Sequence, residues 1–515
     1  MSLRFLRRHG SPQPSSLSAG QVPAAAHAPA GLRAPSGRRP RVADALLVGA
    51  LVLFAGSAWL QQRPPVDDEA LPTPVGIDRS GRSTGPIRRF ASVIVNGIEY
   101  STADATILVD GRPATQEDLR IGQVVTVDGL RDETDTLGIA SVVEYRSNVV
   151  GPITAVDPAA STLVVLGQSV RVSADTGIDD RIAAPALANL RVGDVLAVSG
   201  FETSTGVINA TRLERADDTG EYRVAATISA FDEDNATFVL GGLLVDFDRA
   251  AIQGELADDV PVRVIGGLNG GTLRATRVVV EAGSELADDG ESMDLEGLVS
   301  AVTSPTTFVV DDQPILIDAA TQFIGGTAAN LRADVRVLVR GSVSAGVLRA
   351  ARVEFALVST LRVEGVVRST SSGGTRLNVD GVAVLVDART QFEDNSAVKE
   401  SPFGPEDLRV GDFVEVAGVP AGGGRMLALR VERDELEATT LLRGNVTANL
   451  GGRLGINGAV VNIDMRTEIV DGNGVRMSWN QLIRRARVGD RIKAKCFAIP
   501  GGLRAKEIEY SGPAR

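Results

Sequence analysis

The sequence predicts an all-β protein: a tandem array of six small, OB-like β-barrel modules of about 70 residues each, following one N-terminal transmembrane helix. Three observations predict it. First, a twelve-residue phrase occurs six times: DLRIGQVVTVDG at 118–129, NLRVGDVLAVSG at 189–200, ELADDVPVRVIG at 255–266, NLRADVRVLVRG at 330–341, DLRVGDFVEVAG at 407–418 and RARVGDRIKAKC at 485–496. Successive copies start 71, 66, 75, 77 and 78 residues apart, so the 515 residues repeat one supersecondary unit. Second, short Val/Ile/Leu runs alternate with polar residues and stop at Gly, Asp or Asn, the pattern of half-buried strands and tight turns. Third, residues 45–60, ALLVGALVLFAGSAWL, hold sixteen positions without a charge, a length that barely reaches across a hydrocarbon core.

Taken from the N-terminus, residues 1–42 are rich in Pro, Ala, Ser, Gly and Arg. That composition buries too little apolar surface to offset its ordering entropy, and a disordered, basic, cytoplasmic leader is expected. Residues 43–61 follow as anchor or signal, with Leu46, Leu47, Val48, Leu51, Val52, Leu53, Phe54 and Trp59 as the membrane anchor. Arg38, Arg39 and Arg41 precede the apolar run and Asp67, Asp68 and Glu69 follow it. By the positive-inside rule the N-terminus stays cytoplasmic, giving a single-pass membrane protein with its repeats exported. The long leader favours an uncleaved anchor, whereas Gly56 and Ala58 offer a small-residue pair for signal cleavage. Residues 62–84, with Pro64, Pro65, Pro72 and Pro74, read as a stalk.

The modules are expected at 85–147, 148–216, 221–282, 293–356, 360–434 and 440–511. Each opens on a strand (GPITAV at 151–156, EGVVRS at 364–369) and closes on another (GVLRAARVEF at 346–355, GGLRAKEIEY at 501–510). A short helical turn precedes the L-R-V-G-D phrase, and five strands with a helix before the fourth fit a small closed barrel. In the sixth module Ile492, Ala494 and Cys496 alternate with Arg491, Lys493 and Lys495, one face dry and one wet. Asp followed by Thr three residues later, in DAATQF at 318–323, DARTQF at 387–392 and DMRTEI at 464–469, reads as a capped turn. A lone module of this size is marginally stable, so neighbours are expected to share apolar contacts along a row.

Composition narrows the chemistry. Both histidines, His9 and His27, lie in the leader, which removes histidine bases and ligands from the repeats. The single cysteine, Cys496, permits no intramolecular disulfide and takes the slot of Gly129, Gly200, Gly266, Gly341 and Gly418. Residues 1–62 carry a net charge of +6 and residues 63–515 carry −18, a field that repels phosphate backbones, so nucleic acid is not expected as a partner. The acidic pairs, such as Asp179–Asp180 and Asp311–Asp312, read as solvated turns and not as the spaced carboxylates of a glycosidase. DEDN at 232–235 and DGNG at 471–474 lack the ligand spacing of a calcium loop.

Residues 476–487, RMSWNQLIRRAR, are the one helical-looking stretch, with Trp479, Leu482 and Ile483 on one face. Trp479, Arg484, Arg485 and Arg487 are the candidate partner-binding or anionic-glycan patch, against the plainer reading of a helix plugging a barrel end. The insertion at 393–407 reads as a loop.

The phrase FASVIVNGIEYSTADATILVDG at 90–111, leading into DLRIGQVVTVDG, resembles the bacterial family known as domain of unknown function 5666. The resemblance runs through all six repeats, strongest in the first, second, fourth and fifth. The third lacks the Gly-Asp step, and the sixth departs at its start and at Cys496. It implies an extracytoplasmic β-repeat protein, which with the anchor is expected in the bacterial inner membrane with its repeats in the periplasm or extracytoplasmic space, and it brings no catalytic residues with it. The expected function is a binding or spacer module of the cell envelope, not an enzyme and without cofactor or metal, with an envelope protein or polysaccharide as partner besides the membrane. The alternative is an envelope hydrolase using carboxylates of a divergent repeat.

Overall fold

A period of two governs the strands. In Arg491–Ile499, Ile492, Ala494 and Cys496 are buried while Arg491, Lys493 and Lys495 are exposed. The computed structural model describes residues 76–513 apart from 91, 180, 183–185 and 282–285, and these are all-β with repeated small barrel-like sheets. The leader, the anchor set from Leu46 to Trp59, the orienting Arg38, Arg39 and Arg41, and the stalk up to residue 75 lie outside the described residues. Among the described residues no helix is long and apolar enough to cross a membrane.

Residues 149–215 illustrate the unit. Strand Val149–Asp157 pairs with Thr162–Val165, which turns back into Gln168–Arg171. The last strand, Ile208–Arg215, runs parallel to Gln168–Arg171 and antiparallel to Val195–Glu202, which returns to Val149–Asp157. The order first, second, third, fifth, fourth, first closes the sheet and leaves no long free edge. A short helix, Ala186–Asn189, fills the step between third and fourth strands.

The recurrent phrase is explained by this geometry. Its leucine is a core residue, Leu119, Leu190 and Leu408 being 1%, 5% and 2% exposed. Its aspartate caps the turn: Asp194, Asp412 and Asp490 accept the backbone N–H of Arg191, Arg409 and Arg487 at 3.0, 2.8 and 2.7 Å. The position before it is left-handed, filled by Gly193 at φ 95° and Gly411 at φ 105°. Where the phrase departs, Asp259 and Asp334 take that conformation at φ 65°, which a short polar side chain tolerates. The final glycine sits on a β-bulge of the fourth strand at Gly129, Gly200, Gly266, Gly341 and Gly418. There a Cβ would fall on the carbonyl oxygen of the partner strand. Cys496 occupies the bulge of the last strand pair and is fully buried; burial first, then Asp380, pushes its thiol up to about 12.

The Asp-x-x-Thr landmark is a capped turn as expected. Asp318 accepts the N–H of Ala320 at 2.8 Å, and Thr321 donates to Ala350 O at 2.8 Å; Asp387 and Thr390 do the same toward Arg389 and Ala428.

The described residues pack as one unit, and the expected simple row is not what they form. Residues 149–215 join 222–280 through Val149 and Val150, and residues 361–434 join 440–512 through 362–364 against 441–443; each pair shares one apolar core. The first stretch instead pairs parallel with a distant one, 81–84 against 292–295, and these two keep separate cores. Arg79–Phe90 is one strand, so residues 79–84 belong to the sheet and not to the stalk. Its joint is polar: Arg131, 0% exposed, donates to Asp294 at 3.1 Å and Ser83 at 3.1 Å.

Candidate functional site

The closing strand of several units carries Arg and Glu two residues apart on its outward face: Arg212 and Glu214, Arg352 and Glu354, Arg430 and Glu432. Folding back brings these faces together. Arg212 reaches Glu393 at 2.8 Å and Ile121 O at 3.0 Å, Gln123 donates to Glu214 at 2.8 Å, and Arg430 pairs with Glu432 and donates to Thr176 O. Gln391 adds a bond to Ile87 O at 3.3 Å. Residues 79–145, 149–215 and 361–434 thus meet through charge-assisted bonds, which are stronger than neutral ones in a dry setting.

Beside this junction is a cleft of about 460 Å³. Five guanidiniums face it, from Arg88, Arg336, Arg340, Arg352 and Arg389, and Ile324, Phe355, Leu357 and Leu429 supply apolar surface. Carboxylates are shared between cations: Glu296 takes Arg88 at 2.9 Å and Arg336 at 2.7 Å, and Glu354 takes Arg352 at 2.9 Å and Arg389 at 3.0 Å. Burial opposes ionisation of Glu296, but Arg336 and Arg88 outweigh it and hold this carboxyl below its ordinary range. Hydrogen-bonding capacity is left over, since the buried Nε atoms of Arg336 and Arg352 and Oδ1 of Asp175 have no partner. The lining contains no His, Cys or Ser. Against its five arginines the lining sets four carboxylates, Asp175, Glu296, Glu354 and Asp387.

A second charged group lies in the same region. Carboxylate oxygens of Glu415, Glu432 and Asp434 come within 4.8 Å of one another, with Arg362 on Glu415 and Arg430 on Glu432 as countercharges. Burial, then Glu432 and Glu415, pushes Asp434 up to about 7. Between about pH 4, where an ordinary Asp ionises, and pH 7 the folded chain therefore holds a proton that the unfolded chain has released, and this group's contribution to stability falls as pH rises through that window. Asp434→Asn is expected to raise the melting temperature at pH 8 and to leave it unchanged at pH 4; an equal effect at both, in thermal melts followed by circular dichroism, would refute the assignment.

The four residues singled out by sequence do not form one patch. Ser478 caps helix Trp479–Arg485, accepting Gln481 N–H at 3.3 Å; Leu482 is buried, and Trp479 and Ile483 pack half-buried on the same core. Trp479 is a packing residue of the barrel end. Arg484, Arg485 and Arg487 are exposed; Arg487 folds back to Arg484 O at 2.8 Å, while Arg485 lines an open hollow of about 590 Å³ with Arg491 and Tyr510. The insertion at 393–407 is tied down by Phe403, edge-on to Phe392 at 6.3 Å, and by Arg433 bonded to Asp394 and Glu400. DEDN and DGNG are turns in which Asp232 and Asp471 cap the following N–H groups.

The cleft arginines escaped sequence reasoning, although the recurring Arg-x-Glu of the closing strands was a usable signal. Five tandem segments, 84–144, 150–214, 296–354, 364–432 and 443–509, match the family model described as domain of unknown function (DUF5666). The chain belongs to the DUF5666 family. Residues 221–282, included in the resemblance on sequence, fall between the second and third matched segments. The matched DUF5666 segments coincide with the barrel-like units, from opening strand to closing strand. No curated protein matches the chain.

Proposed function

We propose that this DUF5666 protein is a membrane-anchored, extracytoplasmic binding protein of the cell envelope, built from six OB-like barrels, whose ligand sits in the junction cleft. The lining carries the reading: five guanidiniums outnumber four carboxylates, Asp175, Glu296, Glu354 and Asp387, beside an apolar wall, all drawn from parts of the chain that meet only in the folded whole. A small carboxylate- or phosphate-bearing molecule with an apolar portion matches it. The count of six includes the third barrel, which lies outside the matched segments: residues 222–280 have the same strand order as 149–215, including a parallel pairing of Leu243–Asp246 with Thr272–Val280. The anchor and its orientation rest on the uncharged run at 45–60 and the flanking Arg38, Arg39 and Arg41. A plain spacer is disfavoured by the folding back of the first stretch, which shortens the molecule's reach. A hydrolase would have to use Glu415, Glu432 and Asp434, two of which already have arginine partners.

The test is a thermal-shift screen of the full chain in detergent micelles against small organic carboxylates and phosphates. A ligand at about 100 times its dissociation constant adds roughly 2.7 kcal/mol. Arg352 and Arg389, 42% and 47% exposed at the rim, can be changed without opening the core. R352Q/R389Q is expected to keep the unliganded melting temperature and lose the shift. If no anion protects the protein, or the double variant is protected equally, the cleft is not the site.

A further inference from the structure

Charge is distributed unevenly along the chain. Residues 440–512 carry twelve Lys or Arg against six Asp or Glu, a net +6, whereas residues 63–439 carry 33 against 58, a net −25. Three of the four lysines, Lys493, Lys495 and Lys506, fall in the basic stretch. The register of its strands gathers these cations: Arg443 lies beside Lys493, Asn445 beside Arg491, and Leu441 beside Lys495. Arg443, Arg491, Lys493 and Lys495 are all exposed and form no ion pair among the described residues. Glu509 and Glu507 stand across from Lys493 and Lys495 on the next strand, leaving the face net positive. Arg491 continues it into the hollow shared with Arg485 and Tyr510.

The same sheet shows how such a face is used. Its pairing runs unbroken from Thr440–Asn449 into Leu361–Thr370 and Phe413–Pro420, where Glu364, Glu415 and Arg430 occupy the same outward side. There the face is covered: Arg430 bonds to Thr176 O of another barrel, and Arg212 of that barrel holds Glu393. In residues 440–512 no described part of the chain covers it.

We propose that the outward face of residues 440–512, with the adjoining hollow, docks an anionic polysaccharide carrying carboxylates along its length. Cations on neighbouring strands stand about 4.8 Å apart and alternate residues along a strand about 6.8 Å apart, an array suited to an extended polymer with repeated charges. The acidity of the other barrels repels a polyanion from the rest of the surface and confines it to this end. A nucleic acid would need a row of free aromatic platforms, whereas Trp479 packs on the core, the Tyr510 hydroxyl is bonded to Asp490 at 2.6 Å and the half-buried Phe497 ring already lies under Arg504 at 5.6 Å. A bilayer would call for a cluster of exposed apolar side chains among the cations; beside them on the strands Leu441 and Phe497 are half-buried, and the exposed Leu450, Met465, Val475 and Val488 lie outside the strands. The proposal does not depend on the junction cleft.

The experiment measures binding of the full chain, in detergent micelles, to polygalacturonate, with dextran, phosphatidylglycerol vesicles and an oligothymidylate as comparisons. Polygalacturonate is expected to bind at low salt and dextran not to bind. R491Q/K493Q/K495Q should weaken binding about tenfold, the scale that three exposed charges supply, and flatten its salt dependence. A control losing the same charge elsewhere, R249Q/R274Q/R349Q, should bind as the parent does. Unchanged melting temperatures establish that both variants fold. Absence of binding, equal losses in the two variants, or tighter binding to vesicles or the oligonucleotide overturns the assignment.

Discussion

Arg131→Ala is expected to destabilise the protein by about 3–5 kcal/mol, the cost of leaving a buried charge without its partner. Among the described residues Arg131 is the largest fully buried side chain, and it is the bolt between residues 79–145 and 292–355. Besides Asp294 and Ser83 it donates to Arg82 O, and Ser83 in turn meets the Tyr100 hydroxyl at 2.9 Å. Burial pushes Asp294 up even with Arg131 and Arg340 beside it, so removing Arg131 leaves this carboxyl with Arg340 alone. The backbones also approach closely: a Cβ on Gly81 would come within 2.6 Å of Ser292 O. Replacing both partners, in R131M/D294L, should recover part of the loss, because the buried carboxylate goes with the guanidinium, while Arg340, 26% exposed, gives up its carboxylate and keeps its bond to Asn96 O. Denaturant unfolding, with hydrogen exchange read at residues 79–84, checks both; a loss under about 1 kcal/mol for Arg131→Ala would show that the ion pair does not hold the joint.

The second large effect is expected at Gly341→Ala, at about 3 kcal/mol, the upper end of overpacking costs. A Cβ there lands on the Arg349 carbonyl oxygen, an atom of the paired backbone that cannot rotate away. The bulge would have to slide or open, and it sits between Val339 and Val343, both core residues. Gly346→Ala, at the tip of the same hairpin with nothing within 4 Å of the added atom, isolates the clash from the cost of a left-handed backbone. If the two variants melt together, the close approach at Gly341 is not what requires glycine.

The strands, the capped turns and the bulge glycines were legible because each leaves a local mark: alternation, an Asp at fixed spacing, a Gly where no Cβ fits. The parallel pairing of 81–84 with 292–295 left none. Its residues, among them Arg82, Ser83 and Thr84, are polar and read as linker, yet Ser83 and Thr84 are 0% and 6% exposed because hydrogen bonds take the place of apolar burial. The cleft was hidden for a related reason. Arg336, Arg352 and Glu354 stand on the wet side of a period-two pattern, which marks solvent only until another barrel packs against it. Trp479 was drawn toward the arginines by helical spacing, whereas the core took the aromatic ring and solvent took the cations.

The pairing of Gly81 with Ser292 also sets an order of events during biosynthesis. More than two hundred residues must leave the ribosome between one partner and the other, which at 5–20 residues per second is roughly ten to forty seconds. For that interval the strand at 79–90 has one of its hydrogen-bonding sides open, an edge that another nascent chain can occupy. Completion of the 292–355 barrel is therefore the step that ends the vulnerable phase of this protein's birth, and a ribosome stalled before residue 292 would release a chain with a sticky first barrel.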